Sequence, residues 1–175
     1  RNNKTYELAA KYKLANQMDN GFPFTIVGYN TMDINSALKK AVNPELKFTN
    51  RLAYSTQLLV SRKFNEQLSF QIAPIYVHKN LYDETIEQKD LFLLGAGGRC
   101  KLSKRISLNL EYAARLNNSS SIDTPFYNPL SLGFDIETGG HVFQLIFSNS
   151  QPMNDIAVFS NTTGKWDVNR GGGIY

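Results

Sequence analysis

Along most of this chain, large apolar side chains take every second position and polar or small ones fill the positions between. The pattern is sharpest over 128–150. There Leu130, Leu132, Phe134 and Ile136 alternate with Ser131, Gly133, Asp135 and Glu137. After Thr138-Gly139-Gly140 the apolar set resumes as Phe143, Leu145 and Phe147 against Gln144 and Ser148. A period of two is that of a β-strand whose faces meet different surroundings. The stretch therefore predicts a two-faced hairpin.

The same reading predicts strands over 5–16, 22–32, 48–62, 68–78, 90–102 and 106–116. In 106–116, for example, Ile106, Leu108, Leu110, Tyr112, Ala114 and Leu116 oppose Ser107, Asn109, Glu111 and Arg115. Weaker signals place a short strand at 156–159 and the start of another in the final Gly171-Gly172-Gly173-Ile174-Tyr175, for about nine or ten strands. A turn or two of helix is expected over 36–42, stopped before Asn43-Pro44.

The connections alternate in length. Those at 17–21, 63–67, 103–105 and 138–140 are short; those at 33–47, 80–88, 117–127 and after 150 are long. In an up-and-down meander successive connections lie at opposite ends, so the short turns share one end and the long loops the other. Bacterial outer-membrane barrels have that asymmetry, with short periplasmic turns and long extracellular loops. The expected fold is thus all-β, an antiparallel up-and-down transmembrane β-barrel. A soluble up-and-down barrel with its apolar faces turned inward around a ligand is the competing architecture, and it does not require the asymmetry.

Composition narrows this further. The chain has 175 residues, enough for one domain with a sizeable core, and 42% are hydrophobic, with a mean hydropathy of −0.34. No apolar run approaches the length of a membrane-spanning helix, but an alternating strand cancels in any such average. The net charge is +4, from 19 Lys and Arg against 15 Asp and Glu, and the basic residues are dispersed. No basic stripe with interleaved aromatics marks a nucleic-acid surface. Cys100, the single cysteine, falls on an apolar face and reads as a small hydrophobe. Because the chain opens without Met on a strong strand and closes on one just beginning, 1–175 is expected to be one β-barrel domain without its N-terminal strands and the end of its last strand.

The segments IAPIYVHKNLY (72–82), LFLLGAGGRCKLSKRISLNLEY (91–112) and NPLSLGFDIETGGHVFQLIFSNSQPMND (128–155) resemble an uncharacterised family of Bacteroidetes β-barrel proteins, a domain of unknown function. LAYSTQLLVSRKFNEQLSFQ (52–71) fits it more loosely, and the resemblance extends from Phe48 to the C-terminus. Its most specific run is ETGGHVFQL (137–145). The resemblance implies an outer-membrane barrel in a Gram-negative cell, with a signal peptide and additional strands. It implies no activity and no catalytic residues.

If the apolar faces meet lipid, the other faces line a lumen. The lumen-facing candidates are Arg51, Gln57, Gln71, Arg99, Glu111, Arg115, Asp135, Glu137 and Gln144, joined at the N-terminus by Glu7, Lys11 and Lys13. Mixed charges in a narrow lumen are expected to pair, since an unpaired buried charge is costly. Three readings follow: a salt-bridge network that plugs or stiffens the barrel, a lining that selects a polar solute, or a hydrolytic carboxylate pair drawn from Glu111, Asp135 and Glu137. His78 and His141, the only histidines, fall at opposite rims and do not make a shared metal site. Ser148 and Ser150 lie too far along the strand from His141 for a lipase-like arrangement. The acidic loop with Asp83, Glu84, Glu87 and Asp90 lacks the regular spacing of a calcium loop. No catalytic residue, metal or cofactor is predicted.

Two functions are expected from different classes. One is an outer-membrane barrel passing or binding a small polar solute through a charged lumen. The other is a structural barrel that docks a lipoprotein or another outer-membrane protein through its long loops. The partners expected are outer-membrane lipid and such proteins, with no nucleic acid.

Overall fold

The computed structural model describes residues 4–38, 44–117 and 125–166. Eight strands form one sheet in strict sequence order, every neighbour antiparallel, curled into a half-barrel. They are β1 (Thr5–Ala15), β2 (Thr25–Asn35), β3 (Leu52–Lys63), β4 (Leu68–Lys79), β5 (Asp90–Lys101), β6 (Ile106–Arg115), β7 (Leu130–Thr138) and β8 (His141–Ser148). A short helix, α1 (Asp155–Ser160), follows the last strand. The up-and-down architecture read from the alternation is the one observed.

The turns have local causes. Asn65 accepts from the backbone N–H groups of Gln67 and Leu68, and Ser103 accepts from those of Arg105 and Ile106. Such side-chain acceptors replace the ladder where the chain reverses. At the β7–β8 turn Gly139 and Gly140 have φ of 57° and 138°, conformations that other L-residues adopt only at a cost. Pro74 lies within β4, where it has no N–H to give. The β3–β4 pairing is interrupted between Gln57–Ile75 and Val60–Ile72, the place where Pro74 would have to bond.

Alternate side chains have opposite fates. Those of Tyr6, Leu8, Tyr12, Leu58, Phe70, Ile72, Phe92, Leu110 and Leu145 point outward and stay exposed; Tyr6 is 69% exposed and Leu145 54%. The positions between face the inner surface. There Val77 and Leu93 are 0% and 1% exposed. A soluble barrel would bury the first set, and the structure turns it out. Aromatic residues gather at two heights of the outer face. Tyr54, Tyr76, His78 and Phe92 cluster at the long-loop end, and Arg62 lies over Phe24 and Phe64 at the short-turn end. The stretch of β3 from Tyr54 to Arg62 spans about 26 Å, or about 20 Å of height at a tilt of about 40°, near the apolar band of about 25 Å between aromatic girdles in such barrels.

Three expectations need correction. The segment at 156–159 is not a strand but the middle of α1. Its four apolar residues in a row carry no periodicity that separates the two states. On a helix, Ile156, Phe159 and Ser160 take i, i+3, i+4 spacing, and Ile156 and Phe159 join the cluster of Ala73, Ile75, Val77, Leu91, Leu93 and Ala113. The second correction concerns strand starts: Phe48–Arg51 is a turn of 3₁₀ helix and 22–24 precede β2, where Pro23 cannot join a ladder. The third is the count, which among the described residues is eight. The expected start of a strand at 171–175 and most of the expected helix at 36–42 lie outside those residues.

Candidate functional site

The feature that sets the inner face apart is the segment 149–166, which folds back onto it at the long-loop end. Asn149, 3% exposed, clamps both ends of this excursion. Its Oδ1 accepts from Leu130 N at 2.8 Å, and its Nδ2 donates to Asn128 O at 2.9 Å and to Gly164 O at 3.1 Å. Gly164 comes so close that a Cβ there would lie 2.3 Å from Asn149 O. Between the clamps, Thr162 is fully buried and donates to Val158 O at 2.7 Å.

α1 lies across β2, β3 and β4 and is seated by polar groups at both ends. At its C-terminal end, Arg115 Nη2 donates to Phe159 O at 3.1 Å and Ser160 O at 2.9 Å. Beside it Lys79, Glu87 and Asn161 close a ring. Lys79 Nζ lies 2.9 Å from Glu87 Oε1 and donates to Asn161 Oδ1 at 3.1 Å, while Asn161 Nδ2 donates to Glu87 Oε1 at 2.7 Å. Burial alone would push the Glu87 carboxyl up. The Lys79 ammonium and its hydrogen bond, with those from Asn161 and the Asp83 amide, hold it below the usual range. At its N-terminal end, Asn154 Nδ2 donates to Asp33 Oδ2, Gln57 Nε2 donates to Asp155 Oδ2 at 3.1 Å, and Asp155 N donates to Glu7 Oε2 at 3.2 Å.

The nine lumen candidates divide by height. Gln57 and Arg115 hold the inserted segment. Below them, Gln71, Gly97, Glu111 and Ser131 form one cross-strand row. Gln71 and Glu111 line a cavity of about 360 Å³ that continues down to Lys63, Arg99 and Asn109. A smaller space of about 130 Å³ lies above, between Ala73, Ile75 and Gly95 of the sheet and Val158 and Phe159 of the inserted segment. Nearest the short turns, Arg99 Nη2 lies 3.3 Å from Asp135 Oδ2 and 3.9 Å from Glu137 Oε1 and donates to Ser107 Oγ at 3.2 Å. Gln144 donates to Asp135 Oδ1 at 3.0 Å. Arg51 stands apart, in the 3₁₀ turn, where its Nη1 donates to Asn35 O at 3.0 Å.

Of the groups that seat the helix, Gln57, Arg115 and Glu7 are among the lumen-facing candidates of the sequence. Asp33, Lys79, Asn154, Asp155 and Asn161 show no role in the residue order, because their partners are up to 148 residues away in the chain. The one available signal was parity: Asp33 and Lys79 continue the inner-face positions of their strands.

The histidines are separated. His141 sits beside the β7–β8 turn, paired with Thr138. His78 is at the long-loop end, its Nδ1 2.6 Å from Asp90 Oδ1 and its Nε2 3.0 Å from Asn80 Oδ1, with Tyr76 OH donating to the same Asp90 oxygen at 2.7 Å. Ser148 bonds Ser131, and the Ser150 and Thr162 hydroxyls bond each other, Ser150 donating because the Thr162 hydrogen goes to Val158 O. The loop acids go separate ways: Glu87 inward to Lys79, Asp90 to His78 and Asp83 to Thr85. Among the described residues no three His, Cys, Asp or Glu side chains are grouped closely enough to hold a metal ion.

The family described as "Membrane bound beta barrel domain (DUF5777)" matches residues 1–173, and the chain belongs to it. No curated protein and no solved structure matches the chain.

Proposed function

We propose that this membrane-bound β-barrel domain is part of a bacterial outer-membrane barrel, of the Gram-negative Bacteroidetes kind, that holds a small polar solute in its inner chamber and releases it past a movable inserted segment. The observation that carries the reading is the layering of the inner face. Segment 149–166 lies across the long-loop end, and an open recess of about 360 Å³ with charged and amide lining lies on the sheet nearer the short turns. In this reading Gln71, Arg99 and Glu111 face the solute, Asp135, Glu137 and Gln144 orient Arg99, and Gln57 and Arg115 hold the gate.

Both edge strands, β1 and β8, have a strand neighbour on one side only among the described residues. Backbone groups facing hydrocarbon must be paired, which supports a complete barrel with further strands between them. The second reading is a structural barrel that docks a lipoprotein or another outer-membrane protein. It draws on the same inserted segment, because a stoppered lumen suits a scaffold.

Conductance in planar bilayers separates the two. The wild-type protein is expected to be nearly silent, and a variant whose helix has lost its anchor, Ile156→Ser with Phe159→Ser, is expected to open. Heat-modifiable migration of both proteins checks that the barrel is folded. A folded variant that neither conducts nor admits small sugars into liposomes would sink the solute reading and leave the scaffold.

A further inference from the structure

Between the inserted segment and the short turns the inner face changes character from row to row. The first cross-strand row is Ala73, Gly95 and Ala113, and the next is Gln71, Gly97 and Glu111. The third is Ser69, Arg99 and Asn109, continued onto β3 by Lys63. Successive rows of one face are two residues, or about 7 Å, apart.

The two spaces on this face meet in the middle row. Gln71, Gly97 and Glu111 line both the recess of about 360 Å³ and the smaller space of about 130 Å³. The smaller space is apolar beyond that row, with Ala73, Ile75 and Ala113 of the sheet on one side and Val158 and Phe159 of the inserted segment on the other. The recess carries the cations Lys63 and Arg99 at its other end. Arg99 has five donors, and its bonds to Ser107 and Asp135 use a single nitrogen, Nη2. One continuous hollow thus runs from apolar walls, past an amide and a carboxylate, to two cations.

A missing side chain keeps the junction open. A Cβ on Gly97 would meet Glu111 Cγ and Leu110 O, both at 3.6 Å, which is ordinary van der Waals contact. Gly95 differs, because a Cβ there would press on Ile75 Cδ1 at 3.2 Å and on Ala73 Cβ at 3.3 Å. Packing calls for glycine at 95. At 97 a larger residue has room, and it would fill the passage between the two spaces.

The order of the layers specifies a ligand. A polyhydroxylated solute would leave the apolar space to water with few polar partners, which such a space does not hold well. A cation alone would meet Arg99 and Lys63, and an anion alone would meet Glu111. A zwitterion with an apolar branch gives each layer its complement: the branch beside Phe159, the ammonium at Glu111 and the Gln71 carbonyl, the carboxylate at Arg99 and Lys63. An apolar cavity of about 150 Å³ holds a benzene ring, so the smaller space suits a branch of that size.

We propose that this hollow binds an apolar α-amino acid in its zwitterionic form, with a side chain of about the size of leucine or phenylalanine. The inference rests on the reading of the inner face as a solute chamber and deepens it by naming the solute class.

The test is equilibrium dialysis of radiolabelled probes at pH 7 against the full chain in detergent micelles, with binding to empty micelles subtracted. The probes are L-leucine, glycine, 3-methylbutylamine (leucine without its carboxylate) and 4-methylpentanoate (leucine without its ammonium). Leucine is expected to bind about fiftyfold more tightly than glycine, since each added carbon is worth up to about fourfold when buried. Each singly charged probe is expected to bind about tenfold more weakly than leucine. Gly97→Val is expected to abolish leucine binding. Glu111→Gln, at an exposed position, is expected to weaken leucine and 3-methylbutylamine about tenfold and to leave 4-methylpentanoate no weaker, whereas a general loss of structure would weaken all three. Heat-modifiable migration shows that each variant is folded. Equal binding of leucine and glycine, no binding of leucine, or a folded Gly97→Val variant that still binds it would overturn the proposal. Binding of glucose in place of leucine would overturn it and keep the solute reading. Conductance is read separately: a barrel that binds leucine and never conducts would keep this inference and reject release past the inserted segment.

Discussion

The two ends of α1 are less than two helical turns apart, and they are held by opposite chemistry. At the C-terminal end every charge has compensation. Lys79 meets Glu87 and Asn161, and Arg115 meets the carbonyls of Phe159 and Ser160, the polarity a helix C-terminus favours. At the N-terminal end Glu7, Asp33 and Asp155 meet amide and hydroxyl groups, and among the described residues none of the three makes an ion pair. The helix N-terminus offers them a partial positive charge, which offsets only part of the mutual repulsion. One short helix thus has its two ends held by different chemistry, a charge pair at one and hydrogen bonds to carboxylates at the other.

The largest effect comes from breaking the C-terminal end. Lys79→Ala leaves the Glu87 carboxylate half-buried without its cation, and about 3–5 kcal/mol of stability is expected to be lost, read from urea unfolding in micelles. Adding Glu87→Gln should recover part of it, which marks the loss as an unpaired charge and not a cavity. Ile156→Ala removes the buried side chain between the two ends and is expected to cost about 2–4 kcal/mol. Nitroxide labels placed after Met153→Cys and after Lys165→Cys should both become more mobile, which checks that this side chain anchors both ends of the segment. The smallest effect belongs to Asp155→Asn. Because that carboxyl is raised and partly solvated, its removal is expected to gain only about 0.5 kcal/mol at pH 8. The gain should shrink as pH falls through the raised value of that carboxyl.

The outer surface was legible from residue order. Leu130, Leu132, Phe143, Leu145 and Phe147 declared their face by alternation, because a strand gives every second side chain one environment whatever happens elsewhere. The hairpin also brought Asp135 and Gln144 together as direct cross-strand partners. Segment 149–166 resisted the same reading. Its helix is too short to show a period, and the groups that seat it come from β1, β2, β3, β4, β6 and the 80–89 loop.

The amino-acid order by itself determined the strands, their antiparallel succession, the end at which the long loops gather and the apolar face turned to lipid. All of these follow from period two and from turn chemistry, which act within a dozen residues. Tertiary structure alone decided what fills the inner face: that Asn149 and Gly164 clamp a returning segment, that Lys79 and Glu87 secure one end of its helix, and that Glu7, Asp33 and Asp155 meet at the other. Those contacts depend on how the curled sheet brings distant strands around one short helix, and no local pattern encodes that.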